Sequence, residues 1–99
     1  SCTTLAAAAA DRRIVTLEGL TRADDPVTDA LGRAFLAHGG LQCGFCTPGM
    51  LLAAREWLLS EPQPDRSAAR EALAGNICRC TGYGPIIDAV IAAAAELSP

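Results

Sequence analysis

Ninety-nine residues with a formal net charge of −3 at pH 7 leave room for one domain, or one domain with a remnant of a neighbour. Hydrophobic residues make up 51% of the chain and aromatic ones only 4%, so the apolar mass is mostly alanine and leucine, which suits packed helices rather than a β-sandwich. All eight basic residues are scattered arginines, which argues against a nucleic-acid partner, and no apolar run reaches the roughly 20 residues of a membrane helix.

In chain order, residues 1–20 differ in character from the rest. Ala6 to Ala10 favour helix by propensity alone, while Asp11-Arg12-Arg13 reads as a turn and Ile14, Val15, Thr16 and Leu17 as a short strand. From Thr21 the pattern is helical. Asp25-Pro26 is an N-cap followed by proline at the first helical position, with Val27, Leu31, Ala34, Phe35 and His38 on one face and Gly39-Gly40 at the end. Thr47-Pro48 repeats that start for a second helix carrying Met50, Leu51, Ala54, Trp57 and Leu58. Pro62 and Pro64 mark a stiff linker. Asp65 or Ser67 caps a third, shorter helix with Ala69, Ala72 and Leu73, closed by Gly75. A last helix begins near Gly82 to Pro85 and shows Ile86, Ile87, Val90, Ile91, Ala94 and Leu97 on one side. The expected fold is therefore all-α, a four-helix bundle preceded by a short β segment.

Five cysteines are an odd number, and their spacing does not suggest a secreted disulfide framework. Four of them fall in two segments, Gln42-Cys43-Gly44-Phe45-Cys46-Thr47-Pro48-Gly49 and Gly75-Asn76-Ile77-Cys78-Arg79-Cys80-Thr81-Gly82-Tyr83. Each segment runs into the expected start of a helix. Helix N-termini carry unpaired N–H groups and a positive dipole end, so this placement suits an anionic iron–sulfur cluster. Glycines beside the thiols let backbone approach sulfur closely. The pattern leaves other readings open: a structural four-cysteine zinc site, a thioredoxin-type dithiol at Cys43 and Cys46, or a pair of disulfides.

The stretch HGGLQCGFCTPGML together with GNICRCTGYGPIIDAV resembles the C-terminal helical domain of the iron–sulfur subunit of molybdenum hydroxylases. That family includes xanthine dehydrogenase, aldehyde oxidoreductase, aerobic carbon monoxide dehydrogenase and relatives acting on nicotinate, quinoline or isoquinoline. The resemblance implies a [2Fe–2S] cluster held between two helix N-termini by Cys43, Cys46, Cys78 and Cys80. It further implies that Gln42 and Cys80 contact the molybdopterin cofactor of a large partner subunit, and that electrons pass on to flavin, FAD in a medium subunit, or another acceptor. Ser1-Cys2-Thr3, with Glu18-Gly19-Leu20, resembles the junction to an N-terminal plant-type ferredoxin domain. On that reading, residues 1–20 are the end of that domain and 21–99 the helical domain. Cys2 is then the fourth ligand of a second [2Fe–2S] cluster, and the chain, which starts at Ser1 without an initiator Met, is the C-terminal part of a longer subunit.

The remaining conspicuous residues have simpler roles. His38 suits a helix end, Trp57 a core, and Phe45 and Tyr83 the shielding of a cluster from water; Arg79 either offsets cluster charge or is solvated. No nucleophile–base pair, carboxylate dyad or phosphate loop is present, so no catalytic residue is expected in the chain itself. The expected role is electron transfer within a molybdenum hydroxylase complex, cytoplasmic or exported to the periplasm on a partner's signal. A four-cysteine zinc interaction module is the alternative.

Overall fold

Capping side chains and prolines decide where the helices of this chain begin. The computed structural model describes residues 2–61 and 63–98, and in them a short 3-10 helix (Ala6–Ala9) is followed by five α-helices. These are α1 (Leu17–Arg22), α2 (Pro26–His38), α3 (Thr47–Ser60), α4 (Arg66–Leu73) and α5 (Gly84–Leu97). Asp25 caps α2 by accepting from the Thr28 N–H at 2.9 Å, and Asp65, rather than Ser67, caps α4 by accepting from the Ala68 N–H at 2.8 Å. At the far end of α2, Gly39 takes the left-handed conformation (φ 72°) and the Gly40 N–H returns to the Phe35 carbonyl at 2.9 Å. Gly40 must stay small, because a Cβ there would lie 3.3 Å from the Phe35 ring and 3.5 Å from the Ile86 backbone. That close approach brings the start of the first cysteine loop against α5.

The all-α class holds, but the expected strand over Ile14, Val15, Thr16 and Leu17 does not form, and no strand occurs among the described residues. A lone strand needs a neighbour to take its backbone hydrogen bonds, and the described residues supply none. Ile14 is instead 73% exposed, and the Thr16 hydroxyl accepts from the Gly19 N–H at 3.1 Å to start α1. Leu20 is buried, and α1 packs on α2 and α3, so this helix belongs with those that follow it. Pro62 and Ser1, both singled out from the sequence, lie outside the described residues.

The most extensive contact is between α2 and α5, with α3 against α2 and α4 against both α3 and α5. Leu31, Phe35, Met50, Ile86 and Val90 are the largest fully buried side chains. Burying a side chain of this size contributes roughly 1.5–3 kcal/mol, so this set is the main support of the fold. Trp57 and Leu58 pack against the same core. Away from it, Arg55 of α3 grips the Asp25 carboxylate with two hydrogen bonds, Nε to Oδ2 at 3.0 Å and Nη2 to Oδ1 at 3.1 Å. The same carboxylate accepts from the Thr28 hydroxyl at 2.8 Å. The ion pair holds the Asp25 carboxyl well below the usual carboxylate range, with the Arg55 hydrogen bond as the largest cause. Two exposed pairs, Arg33–Glu96 and Arg66–Asp88, tie α2 and α4 to α5 and add little in high dielectric.

Candidate metal centre

Two loops carry four thiols. The first, residues 41–46, runs from the end of α2 into α3, and Gly44 turns it through a left-handed φ of 87°. Its geometry corrects the expected cap: Cys46, not Thr47, is the N-cap of α3, and Thr47 is the first helical residue. The second loop, residues 74–83, links α4 to α5, with Gly82 (φ 69°) and Tyr83 (φ 72°) both left-handed. Asn76 of this loop reaches α3: a Cβ on Gly49 would lie 3.2 Å from its Nδ2. Gly49 therefore lets the second loop close onto the first turn of α3.

Thiols of the two loops act on one another across the gap between them: Cys80 helps draw Cys43 down, and Cys78 helps push Cys46 up. Among the described residues, no three Cys, His, Asp or Glu side chains crowd close enough to cage a single ion. Cys2 is exposed in the N-terminal segment, outside the two loops. Gln42 is exposed beside Cys43, and His38, exposed at the end of α2, stands outside the thiol set.

The four sulfurs differ in surroundings. Cys78 is 8% exposed; its Sγ accepts from the Thr81 hydroxyl at 3.2 Å, and its backbone N–H donates to the Tyr83 hydroxyl at 3.0 Å. The Thr81 hydroxyl bond is the first cause that draws the Cys78 thiol down to about 7. Burial pushes the half-buried Cys46 up, with Cys78 adding to it. In the exposed pair, the Phe45 N–H, at 3.5 Å from Cys43 Sγ, draws that thiol down, while the hydrogen bond to Cys43 pushes Cys80 up. Neither α3 nor α5 has a side-chain cap at its N-terminus, so the positive end of each 14-residue helix is open toward the loop before it.

Phe45 does not shield the thiols as its position in the sequence suggests; it is 94% exposed. Tyr83 acts through its hydroxyl instead. The sequence marks Thr47 only as a helix start and Thr81 only as part of the second cysteine segment. A threonine right after a cysteine and two residues before a turn N–H is a signal for a side-chain turn, and the Tyr83 N–H does donate to Thr81 Oγ1 at 3.1 Å.

The donor set fits an iron–sulfur group. All four candidate donors in the two loops are sulfur, the ligand type of such clusters. The Thr47 Oγ1, next to Cys46, is buried and has no hydrogen-bond partner among the described residues. A buried hydroxyl left without an acceptor is costly, and a sulfide at this site would supply one.

Comparison with known proteins agrees with this chemistry. Residues 16–91 match the model of the [2Fe-2S] binding domain family. The chain is 46% identical over 97 residues to the nicotine 6-hydroxylase small subunit of Paenarthrobacter nicotinovorans, covering 98% of this chain and 57% of that one. It is also 44% identical over 90 residues to the nicotinate dehydrogenase small FeS subunit of Eubacterium barkeri, covering 91% and 56%. The crystal structure of quinoline 2-oxidoreductase from Pseudomonas putida 86 superposes with a TM-score of 0.78 at 46% identity, over 97% of this chain and 59% of that one. The chain thus spans a little over half the length of these relatives.

Proposed function

Since this chain belongs to the [2Fe-2S] binding domain family, we propose that it holds one [2Fe–2S] cluster on Cys43, Cys46, Cys78 and Cys80 and serves electron transfer in a molybdenum-cofactor hydroxylase or dehydrogenase complex. The observation that carries this reading is the match of residues 16–91 to the [2Fe-2S] binding domain, with two cysteines in each of the loops that enter α3 and precede α5. Two thiolates for each of two irons is the donor arrangement of a four-cysteine [2Fe–2S] site. The zinc module is not favoured, because the matching family binds a [2Fe–2S] group. When bound, the cluster supplies a one-electron couple.

The chain's own residues hold that group and set its surroundings. Helices α2 to α5 form a four-helix bundle around it, and the open N-termini of α3 and α5 stabilise its negative charge. The 41–46 loop leaves Cys43 exposed beside Cys80, so this pair faces outward. We assign that outward face to a large molybdopterin-binding subunit, with Gln42 and Cys80 as the contacts to the pterin. A medium subunit carrying FAD would take the electrons onward. Residues 1–20 adjoin a plant-type ferredoxin domain, with Cys2 as the fourth ligand of its own [2Fe–2S] cluster; because α1 packs on α2 and α3, the helical unit reaches back to Thr16. We place the complex in the cytoplasm or, on a partner's export signal, in the periplasm; among the described residues no helix is long and apolar enough to cross a membrane.

Electron paramagnetic resonance of the full-length subunit in its complex tests this. Dithionite reduction should give two [2Fe–2S] signals, and Cys78→Ser should abolish one of them. If both signals survive Cys78→Ser unchanged, the ligand assignment is wrong.

A further inference from the structure

The loop from Cys78 to Tyr83 is hydrogen-bonded to itself in a way that aims one proton at one sulfur. Thr81 Oγ1 receives the Tyr83 N–H at 3.1 Å, which occupies an oxygen lone pair, and donates to Cys78 Sγ at 3.2 Å. The Cys78 N–H meanwhile donates to the Tyr83 hydroxyl at 3.0 Å, so both ends of the loop are tied and the threonine cannot swing away. Cys78 is 8% exposed, so water competes poorly for its sulfur. A hydrogen bond to an ionised acceptor in such a setting is stronger than one to a neutral acceptor. No equivalent exists in the first loop. Cys43 is exposed and accepts only from the Phe45 N–H, at 3.5 Å.

We infer that Thr81 is a positioning residue whose hydroxyl raises the reduction potential of the [2Fe–2S] cluster by donating to the Cys78 sulfur, rather than a residue needed to hold the iron. The inference rests on the cluster assignment above. One electron added to the bound cluster, from dithionite in the test below, places more negative charge on the sulfurs and breaks no bond. A fixed O–H donor gains more from that added charge than from the oxidised form, so it favours reduction. Thr81→Val keeps the branched shape and removes the donor; Thr81→Ser keeps the donor and removes only a methyl group.

The test is a redox titration followed by electron paramagnetic resonance, on the full-length subunit in its complex. The midpoint of one cluster should move to more negative potential in Thr81→Val and return close to the wild-type value in Thr81→Ser. A wild-type midpoint in Thr81→Val overturns the inference. So does an equal shift in both variants, which would make the methyl group and its packing the cause. Thr81→Ala removes the same donor if the valine variant carries no iron, and loss of the cluster from both would show a role in assembly instead. A wild-type complex without any [2Fe–2S] signal overturns the cluster assignment itself.

Discussion

The two cysteine loops supply the same number of thiols and are built in opposite ways. The loop at 41–46 is short, turned by Gly44, and leaves Cys43 and Phe45 in solvent, with a long amide contact to one sulfur. The loop at 74–83 buries Cys78 and ties it through Thr81 and Tyr83 before α5 begins. The difference sorts the sulfurs by their surroundings. The tied loop holds one sulfur, Cys78, preorganised and away from water, while the exposed sulfurs are Cys43 of the open loop and Cys80 of the tied one.

The largest expected effect removes the comparison altogether. Cys78→Ala should strip iron and sulfide from the protein, as read by metal and sulfide analysis, because the cluster loses one of its four thiolate ligands. Next in size is a change remote from both loops. Asp25→Ala removes a helix cap and leaves Arg55 half-buried without its partner, and should cost about 2 kcal/mol in urea unfolding while the visible spectrum of the cluster stays as it was. Acid probes the same pair. The Asp25 carboxyl lies lower in the folded chain than in the unfolded one, where it is about 3.9, so its contribution is full above that value and fades as pH falls below it. Asp25→Asn should flatten that part of the stability profile between about pH 4 and 2, and an unchanged acid slope would contradict the ion pair's role.

Smaller effects sharpen the contrast between the loops. Tyr83→Phe removes the acceptor of the Cys78 N–H and should cost about 1 kcal/mol, with faster hydrogen exchange at that amide. Phe45→Ala, at a side chain 94% exposed, should leave the urea midpoint unchanged while weakening association with the partner subunit. If Phe45→Ala destabilised the chain more than Tyr83→Phe, the assignment of a tied and an open loop would be reversed.

Much of this was legible because helix signals are local. Asp25-Pro26 and Asp65 announced caps that the structure contains, and the faces through Leu31 and Phe35 and through Ile86 and Val90 became the core. The failures were also local in origin. Ile14, Val15 and Leu17 have strand chemistry, but a strand exists only by pairing, and Thr16 could cap a helix that buries Leu20. Thr47 looked like the cap of α3, yet Cys46 took that place and Thr47 was left with a buried hydroxyl that has no partner among the described residues. The thiol spacing pointed to a metal site among other readings, but not to which sulfur would be buried or which would be exposed. Those depend on Gly49 admitting Asn76 and on the left-handed turn at Gly82 and Tyr83, contacts made across the fold. The motif around the cysteines, compared with known families, named the group that spacing alone left open.

Metal and sulfide analysis of this protein, purified without oxygen, tests the central claim most directly. Iron and acid-labile sulfide in equal amounts, with the red-brown absorption of a [2Fe–2S] cluster, is the predicted result. Zinc in its place, without sulfide, would contradict it.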